Sequence, residues 1–482
     1  MGACALAALA GPVLAQPVPP SQPPSTTAQA LALQLRGDQA DLLMAALAQA
    51  DTHGLERGAF DPIGLTAQLK SPDPAERQAG QAQLIGAVLR YARAVHVGRL
   101  PEAGFDEDWG LRPAAYDAAS DFLRAARADQ LQAWLDSLPP PYTGYQTLRQ
   151  GLQTYRQIAM AGGWPTVSAG PVLKVGSTGR RVDQLRARLS AEDPTVPAAG
   201  PPAFDEALRV GVARAQKRFG LKDDGVVDAQ TLEALNTPVE ERIDQIVANM
   251  ERWRWLPAEL PTDRIQVNIA AAVLTVFKAD APVMSMRAVT GRPGDETPML
   301  QSQIQSIVLN PPWNVPSTIA TKELWPKEKA HPGYLKAHDF TVIQTEGGGT
   351  RLQQKAGDSS ALGRVKFDFP NPYAVYLHDT PSRSGFDRYS RLASHGCVRL
   401  QKPRPLAELL LQSDPDWSPE QIQSTIDSGK TVRVQLPQSI SVFLFYWTAY
   451  VAPDGQVNFR DDPYGWDREL VQKLGQLGGA SI

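Results

Sequence analysis

The chain has 482 residues, of which 43% are hydrophobic and 21% charged, and its formal net charge is −3. That length asks for more than one domain at roughly 100–200 residues each, and the composition is globular rather than disordered. The charge balance offers no basic surface for nucleic acid, and no apolar run is long enough to span a membrane as a helix.

The start, MGACALAALAGPVLA, is a short apolar run ending in Val13-Leu14-Ala15, a small-residue cleavage pattern before Gln16. It reads as a signal peptide (1–15) without a basic n-region and predicts export. Cleavage there removes Cys4 and leaves Cys397 as the sole thiol. A lone thiol in an oxidising compartment is a liability unless it is used. Residues 16–27, rich in Pro and Ser, read as a disordered linker. Residues 28–165 carry helical periodicity, with Leu84, Val88, Tyr91 and Val95 at spacings of three and four, and form a helical N-terminal domain that resembles the scaffold domain of a family of wall enzymes. His53 and His96 lie in it as structural or surface residues.

Gly162, Gly163, Pro165 and Pro171 break the pattern and mark a boundary. A compact three-helix unit follows over 171–237, with Val182, Leu185 and Leu189 on one face and a turn at Asp223-Asp224-Gly225. Residues 240–260 form a connecting helix whose apolar side holds Ile243, Ile246, Val247, Met250 and Trp253. Trp253 and Trp255 read as packing residues rather than a sugar platform. From Asp263 the period changes to two, as in Ile265, Val267 and Ile269, and many short strands follow. Residues 263–437 are therefore a β-rich sandwich or barrel. It is interrupted over 316–364 by an insertion, helical first and loop-like after Thr345, placed to act as a cap. Residues 438–482 form a C-terminal extension, with a hairpin through Pro453-Asp454-Gly455 and a final helix from about Trp466. The fold class is an α+β multidomain protein with a β-rich catalytic unit.

The chemistry concentrates in VYLHDTPSRSGFDRYSRLASHGCVRL. His378 ends an apolar strand, and Cys397 follows 19 positions later beyond a polar loop. A thiolate is the attacking form of cysteine, so an imidazole nearby must take its proton or lower its pKa. Gly396 lets backbone approach a substrate, and the N–H groups around Gly396 and Cys397 can stabilise a tetrahedral oxyanion. Residue types alone leave three readings open. One is a Cys nucleophile. Another is a zinc site from His378, His395, Cys397 and Asp379 or Asp387. The third is a buried cysteine beside satisfied histidines. His331 and His338 lie in the insertion as structural or surface residues.

Two resemblances sharpen this. VLKVGSTGRRVDQLRARL…FDEALRVGVARAQKRFGL…DGVVDAQTLEALN resembles the three-helix peptidoglycan-binding module of wall enzymes. YLHDTPSRSGF…SHGCVRL resembles the active-site signature of L,D-transpeptidases, the YkuD-type domain, and NPPWNVP, the cap and the C-terminal extension resemble its large Gram-negative branch. The resemblance implies that Cys397 is the nucleophile and His378 the general base. It implies attack on the amide after the third residue of a tetrapeptide stem, release of terminal D-Ala, and transfer to the third-residue amine of a second stem. Gly396, His395 and Ser394 are implied to form the oxyanion and positioning group, and Arg399, Tyr376 and Trp313 to meet substrate. No metal or other cofactor is implied. The implied partners are peptidoglycan stems and other wall-synthesis enzymes, with no nucleic acid and no integral membrane segment. The implied location is the Gram-negative periplasm, and carbapenems are implied to acylate Cys397. Competing readings are a Cys-dependent L,D-carboxypeptidase or hydrolase of peptidoglycan attachments, and a non-catalytic wall-binding scaffold.

Overall fold

The computed structural model describes residues 25–345, 348–452 and 454–479. The expected signal peptide and most of the expected linker lie outside them. Ser25 caps a helix over Thr26–Leu31, so the last positions assigned to the linker are helical.

Helices between Thr26 and Ser137 gather around one apolar core that includes Leu43, Leu84, Val88, Phe122 and Trp134. Its longest member, Pro74–His96, starts where Asp73 accepts a hydrogen bond from the Ala75 N–H and Pro74 takes the first helical position. The helix Thr143–Met160 leaves that core. Its Tyr145, Leu148, Leu152 and Tyr155 join a second, larger core and pack on the helix Val239–Trp253. The segment read as one domain, 28–165, therefore feeds two cores, because its last helix has its apolar face turned away from the rest.

Helices Arg180–Ser190, Glu206–Arg218 and Ala229–Asn236 form the small unit. Glu192 is buried between Arg188 (2.6 Å) and Arg218 (2.9 Å) and accepts a hydrogen bond from the Tyr155 hydroxyl at 2.6 Å. That contact fixes the unit to the Thr143–Met160 helix. Helix Val239–Trp253 is buried on most sides. Trp253 stacks on Trp447, and Trp255 on Trp109. Arg252 pairs with Asp467 at 2.5 Å, and Glu251 accepts the Arg99 N–H at 2.6 Å. The two tryptophans thus serve packing.

The β-rich part contains strands β1 (Arg264–Asn268), β2 (Val273–Lys278), β3 (Ala281–Gly291), β4 (Leu300–Leu309), β5 (Trp313–Asn314), β6 (Phe340–Gln344), β7 (Thr350–Gln354), β8 (Val365–Asp368), β9 (Leu377–His378), β10 (Leu392–Ser394), β11 (Val398–Leu400), β12 (Val432–Phe445), β13 (Ala449–Val451) and β14 (Val457–Phe459). The main sheet runs β10-β3-β11-β9-β8-β4-β12-β1-β2, and pairing of β2 with β3 closes it into a barrel-like ring. Ile265, Val267, Leu274, Ile307, Phe367, Leu377 and Val398 point inward and are buried. TVRVQL and the first half of VFLFYWTAYV, which read as separate strands, belong to one strand, β12, with its register shifting between Gln435 and Ile440. The 437/438 boundary therefore falls inside a strand that the ring needs.

The insertion carries short helices at Ser317–Ile319, Trp325–Ala330 and Tyr334–Ala337, a π-helical turn at Ala320–Leu324, and the sheet β5-β7-β6. Its own small core holds Val315, Ala320, Leu324, Leu335 and Leu352. Strand β7 lies where the sequence reads as loop. Its polar outer residues hide the period, and only Leu352 buries an apolar side chain. The terminal helix spans Trp466–Gly479. Among the described residues, no helix is long and apolar enough to cross a membrane.

Candidate active site

Strands β8, β9 and β11 lie side by side in the ring and alternate in and out. Val365, Phe367, Leu377, Val398 and Leu400 point into the barrel. The alternate residues, Lys366, Asp368, Tyr376, His378, Cys397 and Arg399, therefore share the outer face. The parallel register sets Val398 beside Leu377 and Arg399 beside His378. By the same register Cys397 lies beside Tyr376, and thiol and imidazole are diagonal neighbours.

His378 is buried. Its Nδ1 meets the Asp379 carbonyl oxygen at 2.5 Å. A carbonyl only accepts, so Nδ1 carries the proton and Nε2 is the basic nitrogen. Burial, then the Arg399 charge, pushes the imidazole pKa down to about 3, against the opposing Asp379 carbonyl. The ring is neutral at pH 7. The Asp379 carboxylate serves the loop instead, accepting from the backbone N–H groups of Arg364 (2.8 Å) and Thr380 (2.7 Å) and from Arg383 (2.5 Å). Gly363 makes this packing possible: its φ is +58°, and a Cβ there would lie 2.4 Å from Asp379 Cγ.

Cys397 is half-buried. Burial raises its thiol pKa, opposed by hydrogen bonds from the Tyr376 backbone and side chain and by the charges of Lys366 and Arg399. Burial, then the thiolate, raises the Tyr376 phenol, and a hydrogen bond with Trp313 opposes that rise. Lys366 Nζ sits 4.1 Å over the Tyr376 ring and 2.7 Å from Asp368, which also pairs with Arg433 at 2.8 Å. Burial lowers the Arg399 pKa, and Cys397 is the ionisable group acting against that fall. Among the described residues, no carboxylate pairs with Arg399.

The turn before the thiol is held from two sides. The Ser394 hydroxyl donates to the Cys397 carbonyl at 2.5 Å. Thr297 donates its hydroxyl to the Gly396 carbonyl at 2.7 Å and accepts the Gly291 N–H at 2.8 Å. Tyr464, near the C-terminal helix, donates to the Gly291 carbonyl at 2.6 Å. His395 turns toward the insertion, its Nε2 2.6 Å from Glu323 Oε1 on the π-helical turn. Arg292 reaches the same carboxylate at 3.5 Å.

The structure thus brings Cys397, His378, Tyr376 and Arg399 to one face, with Trp313 near Tyr376. Ser394 is buried and braces the turn, and His395 meets the cap. Among the described residues, no group of three His, Cys, Asp or Glu side chains is arranged to hold a metal. The donors named for zinc are otherwise engaged, Asp379 with its loop and His395 with Glu323. Sequence reasoning missed Lys366, Thr297 and Glu323. Glu323 had a local signal: Pro326 lacks the N–H that would bond the Lys322 carbonyl, and the helix widens there. Two cavities of about 490 and 650 Å³ lie elsewhere, both bordered by Tyr389, Arg460 and Asp461 and neither by Cys397 or His378.

Comparison with known proteins gives this geometry its class. Residues 262–434 match the family described as L,D-transpeptidase catalytic domain (YkuD), residues 32–152 a scaffold domain, and residues 178–235 a "Putative peptidoglycan binding domain". The chain therefore carries a YkuD-type L,D-transpeptidase catalytic domain joined to a peptidoglycan-binding domain. A Haemophilus influenzae protein named "Putative L,D-transpeptidase" is 34% identical over 262 residues, covering 50% of this chain and 53% of that protein. The chain thus spans about half the length of this curated relative. Among solved structures, an L,D-transpeptidase from Mycobacterium smegmatis is 16% identical, with a TM-score of 0.21, covering 38% of this chain and 58% of that one. One from Stackebrandtia nassauensis is 14% identical, with a TM-score of 0.23, covering 58% and 96% respectively.

Proposed function

We propose that this protein is an exported peptidoglycan L,D-transpeptidase that works through a Cys397 acyl-enzyme. The observation that carries the reading is the pair of Cys397 and a His378 whose Nδ1 is committed to a carbonyl, diagonal neighbours on one face of the sheet in the matched catalytic domain. Both groups rest neutral. His378 Nε2 takes the thiol proton as sulfur attacks the third stem residue's own carbonyl, in the amide that joins it to D-Ala. Backbone N–H groups at the Gly396 turn stabilise the oxyanion. Collapse expels D-Ala, whose nitrogen takes the proton from the imidazolium and leaves a thioester. The third-residue amine of a second stem then attacks the thioester and gives its proton to Nε2. A cross-link between two third residues forms, and the thiol is restored. Arg399, without a carboxylate partner among the described residues, is suited to a stem carboxylate. Tyr376 and Trp313 flank the thiol. The small helical unit holds wall, and the setting is the Gram-negative periplasm.

The test is mass analysis of products from tetrapeptide-bearing muropeptides. Dimers lighter by one D-Ala support the proposal, whereas shortened monomers alone mean hydrolysis. Cys397→Ala and His378→Ala should abolish product. His395→Ala should leave a measurable remainder, because its tie to Glu323 lies outside the proton path. A carbapenem adduct on Cys397 should require His378.

A further inference from the structure

The outer face around the thiol holds more positive charge than the reaction scheme uses. Tyr376 and His378 face it from β9, and Arg399 from β11 itself. On β8, Lys366 and Asp368 stand one strand further out, and Arg433 reaches Asp368 from β12. On the far side of the turn lie His395, Glu323 and Arg292. Lys366 is paired with His378 in the β8–β9 register, so its side chain rises beside the site. Its ammonium lies over the Tyr376 ring at 4.1 Å rather than in solvent. Asp368 is shared between Lys366 and Arg433, so the trio keeps one net positive charge next to the phenol.

A cation over an aromatic face draws electron density toward itself and is drawn most strongly to an electron-rich ring. The register sets Tyr376 beside Cys397; an O–H donated from there to an anionic sulfur would build negative charge on the phenol, and the cation's attraction would grow. We propose that Lys366 is a positioning residue for the nucleophile: seated over Tyr376, it makes that hydroxyl a stronger donor to Cys397 Sγ and so favours the thiolate. This rests on the reading of Cys397 as the attacking group. It gives the buried sulfur a source of stabilisation separate from His378.

The experiment follows the pH dependence of Cys397 alkylation by iodoacetamide in the full chain, in a Cys4→Ala background so that one thiol reports. Lys366→Met should move the midpoint up by roughly half to one pH unit, slowing alkylation about three- to tenfold below the midpoint. Tyr376→Phe should give a rise of similar size. The double variant should shift no further than the larger single one, and Lys366→Arg should restore most of the wild-type midpoint. Arg433→Gln, at an exposed end of the network, should give a smaller rise, because Asp368 then neutralises Lys366 fully. This second variant carries the test if Lys366→Met fails to fold. An unmoved midpoint in Lys366→Met, or in Arg433→Gln should that variant stand alone, overturns the proposal. So do fully additive shifts in the double variant, which mean that Lys366 acts on sulfur without Tyr376. Muropeptide products separate the two claims. Cross-linked dimers with an unmoved midpoint sink only the role of Lys366. A moved midpoint without muropeptide products sinks only the transpeptidase reading.

Discussion

Position 396 illustrates how narrowly the thiol turn is specified. Its φ of +99° lies in the region open to glycine, and a Cβ there would stand 3.1 Å from the Glu296 carbonyl oxygen. Gly396→Ala should therefore cost roughly 1–2 kcal/mol of local geometry and lower kcat about tenfold, with circular dichroism unchanged. A wild-type kcat would remove the turn from the mechanism. Thr297 is the partner that sequence reasoning missed. Cys397 and His378 are legible because a short signature names them. Thr297 and Lys366 reach the site only through the fold of the sheet and its connecting loop, and nothing in their own neighbourhoods announces that, whereas Glu323 had only the signal of Pro326 beside it. Asp379 is instructive in reverse. Its adjacency to His378 excludes the carboxylate as an orienting partner, and the structure supplies its carbonyl instead.

Among the elements, the insertion stands on the barrel with its own small core, and the Glu323–His395 contact at 2.6 Å ties it to the thiol loop. The hydrogen bond with His395, opposed by burial, lowers the Glu323 pKa, so the carboxylate is charged at neutral pH. Glu323→Gln should weaken the tie by about 1 kcal/mol. Hydrogen exchange should then rise severalfold in residues 317–337, while β4 and β12 exchange as before. Equal exchange in both proteins would mean that the tie does not hold the cap. Elements with a clean period were legible, such as Pro74–His96 and the inward-pointing β1. The fusion of β12 and the existence of β7 were not. The first passes through Pro437, which reads as a stop, and the second has one buried apolar residue among polar ones.

Two buried histidines link the whole molecule to pH. His53 accepts or donates through Nδ1 to the Tyr145 hydroxyl at 2.9 Å, and burial, then Arg149 and Arg254, pushes its pKa down to about 3. His378 is held equally low. Unfolded, both titrate near the ordinary value of about 6.5. Below that pH the unfolded chain binds more protons than the folded one, so stability falls as pH falls from about 6.5 toward 3. The slope approaches 1.4 kcal/mol per pH unit for each histidine at about 25 °C. The Tm should therefore drop between pH 7.5 and 5.5, and His53→Gln should shrink the drop. An unchanged drop would remove His53 from the linkage. Glu192 behaves oppositely. Burial alone would raise its pKa, but Arg218 and Arg188 prevail and hold it at about 2. Glu192→Gln leaves two guanidiniums buried without a counter-charge and should cost about 3–5 kcal/mol, read as a lower unfolding midpoint. No cost would show that the pairs merely balance.

The closure of the barrel also sets a timetable. Strand β1 pairs in parallel with β12, joining Arg264 to Ser441, and β12 runs on against β4. Tyr376, His378, Cys397 and Arg399 all lie before Val432 in the chain, yet the ring that holds them waits for that late strand. A polypeptide emerging from its amino end can complete its early helices first, but Cys397 and His378 are not held in a closed ring until β12 has been made. Pairing across such a separation is intrinsically slow. The face that carries Cys397 is therefore completed late, only once β12 has joined both β1 and β4.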